Sequence, residues 1–147
     1  MRKDLYSNIK LSQIAIPATK TTTVTSSEID TAGFESLVVE FNVGNSGDTL
    51  SGSLYWTLSL TECATSGGSF TAVAAADIRV QGGTAGTTST YVIDAPAEDS
   101  LTVKFGYMGS LRYVKAVATA NGSHSSGTPM GITAIQGNPS VAPQNDA

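Results

Sequence analysis

Between Leu54 and Thr61 the chain alternates without a break. Leu54, Trp56, Leu58 and Leu60 are apolar, and Tyr55, Thr57 and Ser59 stand between them. A period of two is that of a β-strand with one buried face, because successive Cβ atoms point to opposite sides. Leu37–Val43 repeats the pattern, with Val39, Phe41 and Val43 on one face and Val38, Glu40 and Asn42 on the other. No apolar stripe of period 3.6 is long enough for a packed helix, which argues against parallel βαβ architectures.

The remaining strands follow from composition and punctuation. Ile9, Leu11, Ile14 and Ile16 open the first apolar segment, and Pro17 either ends it or places it at a sheet edge, since proline donates nothing to a ladder. Thr21–Thr25 is β-branched throughout and reads as a second strand. Ser26–Gly33 is a connection with space for one helical turn, and Gly44–Asp48 is a turn cluster. Phe70 to Val80 holds one or two short strands with a bend, against a competing helical turn at Ala74–Asp77. Tyr91–Ile93 is a short strand. Leu101, Val103 and Phe105 lead into Gly106–Ser110, read as a tight turn, and on to a long strand ending at Thr119. The pair is expected to form a hairpin. Asn121–Thr128 reads as a flexible polar loop and Met130–Ile135 as the last strand. Met1–Ser7 is an N-terminal arm and Gly137–Ala147 a C-terminal tail.

These segments amount to about eight to ten short strands at sandwich spacing. The expected fold is all-β: one antiparallel β-sandwich domain spanning residues 1–147, for which a jelly roll is one available form. A chain of 147 residues can bury enough surface to need no disulfide or metal. Cys63 is the one cysteine, so an intramolecular disulfide is impossible, in keeping with assembly in a reducing cytoplasm.

Charge limits the partners. Charged residues are 14% of the chain, below the roughly 25% of ordinary soluble proteins, and the net charge is −4. The basic residues are scattered, with Arg2 and Lys3 the one adjacent pair, so no phosphate-binding stripe forms and nucleic acid is not an expected partner. No apolar run reaches the ~20 residues of a membrane span. The basic N-terminus is not followed by the apolar core of a secretory signal.

The residues that chemistry needs are sparse. His124, the one histidine, sits among Ser123, Ser125 and Ser126 and reads as a solvated loop residue, with no Gly-x-Ser-x-Gly elbow elsewhere. Cys63 reads as a small, partly buried hydrophobe. Asp94, Glu98 and Asp99 could offer oxygen ligands to a cation, but they lack the Asp/Asn alternation of a calcium loop and read as a solvated acidic turn. Gly82–Gly86 lacks the lysine and helix of a phosphate cradle. Asn121-Gly122-Ser123 matches a glycosylation acceptor but reads as a turn dipeptide. Tyr55 and Tyr91 could form a sugar-binding platform, though cross-strand packing is the commoner use. Arg112 is expected to pair with Glu98 or Asp99, and Tyr113 and Lys115 to share the opposite face. Neither a catalytic residue, a metal nor a cofactor is expected.

Three segments carry a resemblance. They are Asp30–Val39 with Asn42-Val43-Gly44, then Phe70–Val73 with Ala76-Asp77-Ile78, then Gly106–Lys115 continuing to Ala118-Thr119. Their order and spacing resemble small β-rich proteins from the head-gene region of tailed bacteriophages, the capsid decoration or cement proteins. The resemblance implies a non-enzymatic virion protein on the outer capsid surface, assembled in the bacterial host cytoplasm. Its implied partners are the major capsid protein and further copies of itself, with trimers favoured. A tail or head–tail junction role, with carbohydrate or receptor binding, is the alternative that it leaves open. Arg2, Lys3 and Tyr6 are the expected capsid or subunit contacts, as parts of an arm that orders on binding.

Overall fold

A computed structural model describes residues 5–141. Among these residues eleven strands form two antiparallel sheets. In chain order they are β1 (Ile9–Lys20), β2 (Val24–Thr25), β3 (Ile29–Asp30), β4 (Phe34–Val43), β5 (Tyr55–Cys63), β6 (Thr71–Ala72), β7 (Ile78–Val80), β8 (Thr90–Ile93), β9 (Leu101–Tyr107), β10 (Tyr113–Asn121) and β11 (Thr128–Pro139). Three short 3-10 turns, at Tyr6–Asn8, Ala75–Asp77 and Pro96–Glu98, are the helical elements among the described residues.

One sheet has the order β1-β11-β4-β9-β7. The other has β2-β10-β5-β6, with β3 also on β10 and β8 also on β5. The pairing is nested: β1 with β11, β2 and β3 with β10, β4 with β9, β5 with β8. The chain thus folds as one long antiparallel hairpin rolled across two sheets, which is jelly-roll topology.

The alternating segments supply the core. Trp56, Leu58 and Leu60 of β5 face Val39, Phe41 and Val43 of β4, together with Val103 and Phe105 of β9, all buried. Phe41 and Phe105 meet edge to face at 5.3 Å, the arrangement that aromatic quadrupoles favour. The indole Nε1 of Trp56 donates to Thr128 Oγ1 at 3.0 Å, so the largest core side chain leaves no polar atom unpaired.

Several expectations change. The segment around Gly106–Ser110 is not a hairpin turn: β9 and β10 belong to different sheets, and residues 108–112 carry the chain across the sandwich. Tyr107 secures this crossing. Its hydroxyl lies 2.5 Å from Glu62 Oε2 and accepts a hydrogen bond from the Leu111 amide at 3.0 Å. Burial, and then the Glu62 carboxylate, push the phenol well above its ordinary range. Gly109 sits so close to this pair that a Cβ there would lie 2.5 Å from the Tyr107 hydroxyl.

Of the two readings of Pro17 the edge one holds: β1 is an edge strand and runs on past the proline to Lys20, with register shifts between Gln13 and Ala18. The Thr21–Thr25 strand shrinks to β2. Ser27–Ile29 forms no helical turn, whereas the competing turn near Ala74–Asp77 is present as Ala75–Asp77. The expected tail starts later than Gly137: β11 continues to Pro139, and the Ser140 amide donates to the Gly33 carbonyl at 2.8 Å.

Candidate functional site

The polar residues that could do chemistry are mostly spent on structure. Asp48 is the clearest case. Its Oδ1 accepts from Ser125 Oγ at 3.0 Å and the Ser126 amide at 2.9 Å, and its Oδ2 from the Gly127 amide at 2.7 Å. These donors hold its carboxyl below the ordinary range. The β10–β11 loop expected to be flexible is therefore clamped to the β4–β5 loop. Gly127 takes a positive φ of 76° there, and a Cβ would lie 2.5 Å from the Lys20 carbonyl.

His124 is not a solvated loop residue. It is buried, its ring centroid 4.5 Å from that of Trp56. Nε2 lies 3.4 Å from the Tyr55 carbonyl, and Nδ1 lies 3.7 Å from Asp48 Oδ2 without a hydrogen bond. Ser125, Asp48 and His124 stand together, but in the wrong order for nucleophilic catalysis. The serine hydroxyl donates to the carboxylate rather than to the ring, so the serine–imidazole contact of a triad is not formed.

The acidic turn is likewise engaged in local structure. Glu98 Oε2 accepts from the Asp94 amide at 3.0 Å. Asp99 Oδ2 accepts from the Ser46 amide at 2.9 Å. Among the described residues no three His, Cys, Asp or Glu side chains gather as metal ligands. Arg112 pairs with Asp30, not with Glu98 or Asp99. Nε and Nη2 reach the two carboxylate oxygens at 2.8 Å each. That bidentate contact lowers the Asp30 carboxyl to about 2. Tyr113 and Lys115 do share a face, where Lys115 meets Glu28 at 3.5 Å and lies over the Phe70 ring.

Cys63 is buried. Tyr55 is half-buried, and Tyr91 packs against the core opposite Leu58, so the two do not form an open platform. Asn121 closes β10, with its amide donating to Thr57 Oγ1 at 3.0 Å.

What remains is a surface. Among the described residues, seven large apolar side chains are exposed, and four of them, Leu5, Tyr6, Leu11 and Ile16, belong to the first strand and the turn before it. Tyr6 is 78% exposed. Arg2 and Lys3 lie outside the described residues. Leu11 pairs with Ile135, and Ile135 with Val38, in one apolar row across the outer face of the first sheet. Beside it a groove of about 500 Å³ opens where β1 shifts register, lined by Gln13, Pro17, Glu40, Asn42, Pro129 and Thr133. Gly131 lets Pro17 fold over its edge: a Cβ there would lie 2.8 Å from the proline ring.

The chain shares its fold with a prophage protein. A crystal structure of the SPBc2 prophage-derived protein YomS superposes with a TM-score of 0.55 over 89% of this chain and 94% of that one, at 12% sequence identity. At that identity the likeness is one of fold. No protein-family description matches the sequence, and no curated protein does.

Only part of this exposed row was in view in the sequence. Ile9, Leu11, Ile14 and Ile16 are spaced by two, three and two, and the three is a change of phase. An odd step sets Ile14 on the face opposite Leu11 by alternation alone, and the register shifts between Gln13 and Ala18 then turn Ile16 back to solvent.

Proposed function

We propose that this protein is a virion structural protein that decorates and stabilises the outside of a tailed-phage capsid, binding the major capsid protein as a homo-oligomer, with a trimer favoured. It acts by binding rather than by catalysis, on a particle assembled in the bacterial cytoplasm. The observation that carries the reading is the crowding of exposed apolar side chains onto one strand and its N-terminal approach. Scattered apolar residues are ordinary on a surface, whereas a gathered set marks a contact region. The three sequence segments that resemble decoration proteins and the fold shared with a prophage protein support the same reading. Many copies on a lattice, or several sites per oligomer, let each contact be weak.

The test is co-sedimentation of the purified protein with undecorated heads of the same virus, followed by cryo-EM of the pellet. Density at regular outer positions is the expected result. Absence of binding by folded protein overturns the reading. Removing residues 1–7, which include Arg2, Lys3 and Tyr6, is expected to lower occupancy.

The groove beside Pro17 favours a second reading, a tail or head–tail junction module that binds carbohydrate. Gln13, Glu40, Asn42 and Thr133 provide amide, carboxylate and hydroxyl groups suited to a polyol. Retention on a glycan array, lost on changing Asn42, would put that reading first.

A further inference from the structure

The two edges of the first sheet are treated differently. At one edge β7 has three residues, and the Gln81 side chain extends its cover over β9. Its Nε2 donates to the Thr102 carbonyl at 3.1 Å, and its Oε1 accepts from the Lys104 amide at 3.3 Å. At the other edge β1 runs for twelve residues. The Ser27 amide crosses it at the Ile14 carbonyl, 2.9 Å away. The second sheet is bordered by strands of two to four residues. β1 is thus the long edge among the described residues, and a long edge presents unpaired backbone groups to any strand that fits.

Its side chains state what fits. Ile9 and Leu11 point outward, in register with Gly137 and Ile135. Lys10 lies on the opposite side, opposite Gln136. The strand carries Lys10 and Lys20 and no acidic residue, on a chain of net charge −4. Asp30, whose carboxyl is lowered chiefly by Arg112 and to a lesser degree by Lys10, has both oxygens already held by Arg112.

Resting on the capsid-binding reading, we propose that the β1 edge over Ile9–Gln13 accepts an extended segment of the capsid partner as an added strand. That segment alternates apolar and acidic side chains. Backbone hydrogen bonds supply affinity, and the alternation supplies register and specificity. The apolar positions cover Ile9 and Leu11, and an acidic position faces Lys10.

Two measurements test this. Amide chemical shifts are followed while a short synthetic peptide alternating valine and glutamate is added, and again with its valine–lysine counterpart. The expected shifts are confined to Ile9–Gln13 and its β11 neighbours, occur with the glutamate peptide alone, and vanish in Leu11→Glu. Shifts elsewhere, none at all, or equal shifts with both peptides overturn the proposal. Leu11→Glu and the neutral control Leu11→Ser, both confirmed as folded by their amide spectra, are then compared with the unchanged protein on undecorated heads. Leu11→Glu is expected to bind ~10-fold or more weakly. Heads that bind the unchanged protein and Leu11→Glu equally defeat the edge proposal and leave the decoration reading standing. Heads that bind neither, with the peptide shifts as expected, defeat the decoration reading and its assigned partner but leave β1 as a strand acceptor. An oligomer that Leu11→Glu dissociates, with head binding intact, assigns the edge to a second copy and overturns the proposal.

Discussion

β5 and β1 are both apolar strands, but the molecule uses them in opposite ways. β5 lies inside its sheet between β10 on one side and β6 and β8 on the other, and its alternation holds unbroken from Tyr55 through Leu60. Trp56, Leu58 and Leu60 are buried on one face. β1 lies at an edge, its phase breaks between Gln13 and Ala18, and Leu11 and Ile16 are left in solvent. Apolar content alone therefore says little about a strand's task. Phase and position in the sheet decide whether an isoleucine holds the fold or meets a partner.

If that division holds, the largest effect comes from β5. Trp56→Ala removes the largest core side chain and is expected to cost about 3–5 kcal/mol in denaturant unfolding. Trp56→Phe retains most of the packing but strips Thr128 Oγ1 of its indole donor. It should cost about 1–3 kcal/mol. A Trp56→Ala protein as stable as the parent would mean that the core is not organised around β5.

The Asp48 clamp next to this core gives the second effect, and it depends on pH. Its carboxyl is lowered in the fold by the Ser126 amide first, with the Gly127 amide and Ser125 hydroxyl adding to it. A depressed folded-state value means that the contribution is present above the unfolded value, about 3.9, and is lost as pH falls through the folded one. Asp48→Asn should flatten the acid limb of a stability–pH curve and leave its shape near neutrality unchanged. Amide exchange at Ser126 and Gly127 should rise by roughly tenfold at neutral pH. Unchanged exchange there would show that the loop is held by something other than the carboxylate.

How much of this was legible follows the same division. β4 and β5 could be read from alternation because burial on one face writes itself into every second residue. The 108–112 crossing could not. A β9–β10 hairpin and a crossover share the same local pattern, and the difference rests on Tyr107 meeting Glu62, far away in sequence. The Asp48 clamp and the burial of His124 were hidden for the same reason: loops distant in sequence meet at one end of the sandwich. Serine neighbours made His124 look solvated, while the Trp56 ring that covers it lies in another strand. For the surface, Tyr6 stood out as an arm residue, but the exposure of Ile16 depends on the register shifts between Gln13 and Ala18, which residue spacing alone does not show.

The smallest effect belongs to β1, and its smallness is the point. Ile16→Ser should change unfolding stability by no more than about 0.5 kcal/mol, since the side chain is 73% exposed and leaves no cavity when shortened. The same change in a strand interior, as at Leu58, would remove a side chain that is fully buried. A loss of several kcal/mol from Ile16→Ser would mean that this residue already has an apolar partner within the fold or in a stable oligomer. Repeating the measurement across protein concentration separates the two, because stability drawn from a second copy rises with concentration and stability drawn from the chain itself does not. Concentration-independent, near-parental stability is the outcome that leaves Ile16 available to a partner.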